Sequence, residues 1–144
     1  MKVIVMVVLG VLAVSVTAGT CGGNCPSNTC GSCPCGTSSN YVDPSSYCSM
    51  YSGWSQTCCE CIANKESGGN ANAMNYNTND SFDIGLFQIN EINWDSCSGG
   101  NAPCDPKANE GCAEKVFQWG GNTWSLWSTC GLCSHNGVQC CYTA

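Results

Sequence analysis

Between Glu66 and Asn90 the chain reads ESGGNANAMNYNTNDSFDIGLFQIN, and two carboxyl side chains in this stretch stand in unlike settings. Glu66 closes a run in which Cys58, Cys61, Ile62 and Lys65 recur at helical spacing, so it falls at a helix C-terminus. That end carries partial negative charge, which disfavours an ionised carboxyl, and packing against an aromatic wall would raise its pKa further. Asp83 instead sits among Asn75, Asn77, Ser81 and Asn90, whose amides and hydroxyl solvate an anion. A glycosidic bond is hydrolysed by such an asymmetric pair, one carboxyl holding a proton and the other negatively charged.

The elements that must position this pair are legible in outline. Asp43-Pro44 has the form of a helix N-cap followed by proline at the first helical position, and predicts a short helix to about Met50. A second helix is expected over residues 55–66, stopped by Gly68-Gly69. Short apolar–polar alternation flanks Asn77-Thr78-Asn79-Asp80-Ser81 and predicts a hairpin that turns there. Asn109 is read as the cap of a third helix carrying Cys112, Val116, Phe117 and Trp119. Asn122 is read as the cap of a short last helix bearing Trp124 and Trp127. Helices with one small sheet make an α+β architecture.

Outside this region the chain is read by composition. Lys2 precedes an apolar run to Val14 and the small residues 15–19, the layout of a secretory signal peptide. Residues 1–18 are expected to be removed, the mature chain beginning at Gly19 or Thr20. A membrane anchor would need about 20 apolar residues. All sixteen cysteines lie downstream, which in a small exported chain reads as a disulfide framework. The rival is a zinc cluster built on Cys30, Cys33 and Cys35 or on Cys58, Cys59 and Cys61, but such sites belong mainly to reducing compartments. Residues 19–42 are expected to be a stapled, cysteine-rich segment without a core of its own. Residues 43–144 form the compact domain, ending in a second stapled tail from Cys130 to Cys141.

Without the leader, three lysines face ten carboxylates, a formal charge of −7. Nucleic acid is thereby excluded as a partner, since phosphate binding needs clustered positive charge, and anionic membranes are not attracted. His135, the single histidine, is assigned no chemistry. The stretch from Asp105 to Glu110 offers too few oxygen ligands for a tight calcium cage.

The glutamate after a cysteine-bearing helix, the N-x-N turn, Asp83 17 residues on and the strand G-L-F-Q-I-N together resemble the active-site region of animal-type (C-type) lysozymes. The resemblance covers roughly residues 43–130. It implies a lysozyme-like α+β fold, a helical lobe and a small antiparallel β-lobe with a substrate cleft between them. It also implies that Glu66 is the acid/base and Asp83 the nucleophile or electrostatic stabiliser. Asn75, Asn77, Gln88, Asn90, Trp94 and Trp124 are then substrate-binding positions, with Trp124 nearer to Glu66 than Trp127. Disulfides Cys61–Cys130 and Cys97–Cys104 are implied by the same resemblance. Cys112 fits a family cysteine with no evident partner, the segment to Asn40 has no counterpart, and the charge is acidic where antibacterial members are often basic.

The string E-S-G-G-x-N followed by G-L-x-Q-x is similar to soluble lytic transglycosylases as well, which use one glutamate and form an anhydro-sugar. Asp83 favours hydrolysis between these two. A non-catalytic sugar-binding relative would normally lack one of the carboxyl groups. The expectation is therefore a monomeric, secreted or phagosomal/lysosomal enzyme. It would cleave the β-1,4 bond between N-acetylmuramic acid and N-acetylglucosamine of bacterial peptidoglycan, without cofactor or metal and without stable membrane insertion.

Overall fold

The computed structural model describes residues 21–23 and 32–144. The expected leader, Cys25 and Cys30 lie outside the described residues. Helix α1 (Pro44–Cys48) begins as expected, with the Asp43 carboxylate accepting from Ser45 N at 3.0 Å. Helix α2 (Gln56–Ser67) is capped by Ser55, whose hydroxyl accepts from Cys58 N at 3.3 Å. It stops at Gly68, which takes a left-handed conformation with φ 62° and so leaves Glu66 in the last turn.

Strands β1 (Met74–Tyr76) and β2 (Phe82–Ile84) form the expected hairpin, and β3 (Ile89–Asn90) completes an antiparallel sheet in the order β1-β2-β3. The register sets Asn75 opposite Asp83 and Asp83 opposite Asn90. A helix not foreseen from the sequence, α3 (Trp94–Ser98), follows the sheet and packs on α4 (Pro106–Trp119).

Helix α4 starts earlier than expected. Asp105 caps it, accepting from Lys107 N and Ala108 N at 3.0 Å each, with Pro106 at its first position. This is the same Asp-Pro signal that opens α1. Asn109 is not a cap but a fully buried clamp. Its Nδ2 donates to Ile84 O at 2.9 Å and Pro103 O at 3.0 Å, while its Oδ1 accepts from Phe87 N at 2.8 Å. The loop between β2 and β3 is thereby fixed to α4. Gly85 lies under this clamp: its φ is +83°, and a Cβ there would fall 2.2 Å from Asn109 Nδ2.

The short last helix expected after Asn122 does not form. Asn122 takes a positive φ of 58° in a turn, and a 3₁₀ turn begins only at Ser128 (Ser128–Leu132). The tail then makes a small hairpin of β4 (Ser134–His135) and β5 (Val138–Gln139).

The main core lies between α2, α4 and the segment after α4. Trp124 is its centre, with ring centroids 5.0 Å from Trp54, 5.2 Å from Phe117 and 4.8 Å from Trp127. A smaller core under the sheet joins Cys21, Met74 and Ile84. The N-terminal segment thus packs on the sheet, where Asn70 Nδ2 also donates to Gly22 O.

Among the described residues no cysteine is free, and seven disulfides are formed. Both implied pairings are corrected. Cys61 joins Cys133 and Cys130 joins Cys141, because the tail folds back along α2 and brings Cys133 to the helix while Cys141 meets the 3₁₀ turn. Cys97 joins Cys112, because α3 lays Cys97 against α4, with Cα atoms 5.0 Å apart. Cys104 is then left to Cys35, which ties the N-terminal segment to the domain. Helix α2 alone carries three staples, Cys48–Cys59, Cys58–Cys140 and Cys61–Cys133, so the element bearing Glu66 is cross-linked to both its preceding helix and the tail. Each native bridge typically contributes ~2–4 kcal/mol. Among the described residues no helix is long and apolar enough to cross a membrane.

Candidate active site

A cleft of about 560 Å³ runs between the helices and the sheet. Glu66 enters it from the last turn of α2, Asp83 from β2, Asn90 from β3 and Gln88 from the loop just before β3. A second arm of the cleft, about 530 Å³, shares Glu66, Asp83, Asn77, Gln88 and Ser128 and extends past Asn75 and Lys65. The two carboxyl groups therefore stand at the junction of two arms, with room for a chain-like substrate on either side.

The Asp83 carboxylate is held by three side-chain amides. Asn90 Nδ2 donates to Oδ1 at 2.7 Å, while Asn77 and Asn75 donate to Oδ2 at 2.9 Å and 3.2 Å. Ser81 locks this web: its hydroxyl accepts from both Asn77 and Asn90 at 3.1 Å and donates to Asn79 Oδ1 at 2.7 Å. Strand pairing is the cause of the convergence, because Asn75 and Asn90 are the cross-strand neighbours of Asp83 on its two sides.

Glu66 has a different environment. One carboxyl oxygen, Oε1, accepts a hydrogen bond from Thr129 Oγ1, and the buried Trp127 lines the same cleft. Burial pushes the Glu66 carboxyl above the ordinary glutamate range. The bond from Thr129 pulls it back in part, and the negative charge of Asp83 adds to the rise. The pair thus combines a carboxyl that tends to keep its proton with a carboxylate surrounded by amide donors.

Of the residues singled out from the sequence, the fold brings Glu66, Asp83, Asn75, Asn77, Gln88 and Asn90 to the cleft. Gln88 spends its amide N–H on Ala73 O and Gly85 O, at 3.1 Å and 2.9 Å, so it also ties the turn after β2 to the residue before β1. Trp124 is not brought there. It is fully buried in the aromatic core, and Trp127 takes the place beside the cleft, its Nε1 donating to Phe87 O at 2.9 Å. Trp94 is also outside the cleft lining: its indole N–H donates to Ile89 O at 3.1 Å and its ring packs on the cores, leaving Asn93 to face the cleft.

Thr129 was not legible, because its contact with Glu66 spans 63 residues of sequence and a threonine beside a cysteine carries no local signal. Ser128 and Lys65 line the cleft without having been singled out. Among the described residues, no group of three histidine, cysteine or acidic side chains stands close enough to hold a metal ion.

Helices packed beside a small antiparallel sheet, cross-linked by disulfides and open in a cleft between them, make a lysozyme-like α+β fold. Residues 51–129, more than half of the chain, match the family described as "Lysozyme like domain", and the chain belongs to that family. The matched span contains Glu66, Asp83 and Thr129. Members of the family are typically glycosidases or transglycosylases, a peptidoglycan-related role at the level of the domain.

Proposed function

We propose that this protein is a secreted peptidoglycan N-acetylmuramidase that hydrolyses the β-1,4 bond between N-acetylmuramic acid and N-acetylglucosamine. The observation that carries the reading is the unlike setting of two carboxyl groups in one cleft. Glu66 is partly buried in a cleft that Trp127 also lines, with one oxygen held by Thr129, and Asp83 is held by three amides.

The chemistry follows from that asymmetry. The Glu66 carboxyl gives its proton to the glycosidic oxygen as the bond from the anomeric carbon breaks. Positive charge develops on the sugar ring, and the Asp83 carboxylate stabilises it or bonds to it. The Glu66 carboxylate then takes a proton from an attacking water, whose oxygen bonds to the anomeric carbon. Both carboxyl groups end as they began, and the products carry a new reducing end and a new hydroxyl. Chitin oligomers, which share the β-1,4 bond and the N-acetyl groups, are weaker substrates in this reading.

Export is part of the proposal, supported by the leader-like residues 1–18 and by a disulfide framework that a reducing compartment would not sustain. The experiment is mass spectrometry of peptidoglycan digested by the purified protein. Reducing-end muramic acid is the expected product. Anhydro-muramic ends would instead assign lytic transglycosylation by Glu66 with internal attack by the substrate. Intact glycan would leave a sugar-binding protein.

A further inference from the structure

Among the described residues the cleft has one cation, and the proposed carboxylate pair does not use it. Lys65 lines the second arm beside Glu66, Asn75 and Asp83. The other two lysines of the described domain have local tasks. Lys115 Nζ donates to the carbonyls of Ser96 and Cys97, at 3.2 Å and 3.4 Å, and Lys107 lies in the field of Glu110 in the first turn of α4. The Lys65 ammonium makes no hydrogen bond or ion pair within the described residues. A lysine in the last turn of a helix favours the negative end of the helix dipole, and that accounts for its presence on α2. It does not account for an unpaired ammonium on a residue that lines the cleft, in a chain of net charge −7 without residues 1–18.

We propose that Lys65 is a specificity-determining residue whose ammonium pairs with a carboxylate carried by the glycan in the second arm, selecting an anionic glycan over a neutral one. The inference rests on the reading of the cleft as a glycan site. Peptide-free muramic acid–glucosamine polymer presents such a carboxylate on the lactyl group of alternate sugars, whereas chitin presents none. The N-acetyl groups and the β-1,4 linkage are common to both, so contacts to those groups do not distinguish them, whereas the lactyl carboxylate carries a charge that chitin lacks. A point charge at one end can tell them apart.

The test is equilibrium binding by calorimetry in a Glu66→Gln background, which holds the glycan uncleaved. Two ligands of equal length are compared, a peptide-free oligomer of alternating N-acetylmuramic acid and N-acetylglucosamine, and a chitin oligomer. Glu66→Gln/Lys65→Gln should weaken the muramic oligomer by about two- to fivefold, the scale of an exposed ion pair, and leave chitin unchanged. Glu66→Gln/Lys65→Arg should restore binding. Glu66→Gln/Lys107→Gln makes the same change in net charge away from the cleft and should bind as the parent does. The difference between ligands should fade near 1 M salt, where the Debye length is ~3 Å. Equal losses for both ligands, equal effects at Lys65 and Lys107, or no loss at all would each overturn the role of Lys65. Because binding and not turnover is measured, a digest that yields no cleavage products would fail the catalytic reading while leaving this comparison intact.

Discussion

Thr129 Oγ1 donates a hydrogen bond to Glu66 Oε1, joining the start of the 3₁₀ turn at Ser128 to the last turn of α2. The bond fixes which oxygen of Glu66 is engaged and, in the proposed mechanism, leaves the other to carry the proton into the cleft. It also opposes the burial that raises the carboxyl's pKa. Thr129→Val keeps the shape and removes the donor. In the proposed mechanism its kcat should fall roughly fivefold or more, the scale of one net hydrogen bond of about 1 kcal/mol. The alkaline limb of its pH–rate profile should move to higher pH, because the influence lost is the one that lowers Glu66. Thr129→Ser should restore both. An unshifted profile with reduced activity would reduce Thr129 to packing.

The two carboxyl groups are separable by substitution. Glu66→Gln removes the proton donor and should lower turnover by at least ~10²-fold while the circular dichroism and Tm stay near those of the parent. Asp83→Asn places an amide where Asn75, Asn77 and Asn90 all donate, so donor meets donor at one of the two former oxygens. Activity should fall strongly, and Tm should fall as well, unlike the Glu66 variant. Near-normal turnover in either variant would end its assignment.

What the sequence shows and hides follows the range of the interaction. Asp43-Pro44, Ser55, Gly68 and the Asn77–Ser81 turn act within a few residues of themselves, and each forms the cap or turn that its chemistry predicts. The polar shell of Asp83 was legible because strand alternation places Asn75 and Asn90 beside it. Asn109 deceived because a good capping side chain is also a good buried clamp, and only the fold sets Ile84, Pro103 and Phe87 around it. Trp124 and Trp127 share composition and neighbourhood; without a helix after Asn122, their relation to the cleft depends on how that turn packs against α4. The disulfide partners were hidden for the same reason: half-cystine spacing does not encode which distant cysteine the tail brings to α2.

The Asn109 clamp can be tested directly. Asn109→Ala leaves Phe87 N–H and the Ile84 and Pro103 carbonyls without their partner in a buried site. Each orphaned group costs about 1–3 kcal/mol, so chemical denaturation should show a loss of at least ~2 kcal/mol. The disulfides remain in place, and the damage should therefore concentrate at the loop before Gln88. Hydrogen exchange at Phe87 N–H should rise more than at the amides of α2. A uniform loss across the domain would mean that the clamp is not a local fastener.

The last prediction concerns Glu110 on α4, which is 3% exposed and has a carboxyl oxygen, Oε1, without a hydrogen-bond partner among the described residues. Burial pushes its pKa from 4.5 up to about 8, helped by hydrogen bonding to and the charge of Glu114, while Lys107 pulls weakly the other way. In the unfolded chain the same carboxyl titrates near its ordinary value. Between those two values the folded state holds a proton that the unfolded state has lost, so stability must fall as pH rises. The contribution is fully present below about pH 4.5, declines towards pH 8 and levels off above it. Glu66, also raised, acts in the same direction. Thermal unfolding should therefore give a higher Tm at pH 5 than at pH 8.5, with the disulfides intact at both. Glu110→Gln keeps the side chain's size without a titrating proton and should flatten most of that slope, gaining stability relative to the parent at pH 8.5. In the proposed mechanism acid pH also favours the protonated form of Glu66, so activity and stability should both favour the acidic side of neutrality. A Tm that rises from pH 5 to pH 8.5, or a Glu110→Gln variant with the parent's slope, would show that Glu110 is ionised in the fold.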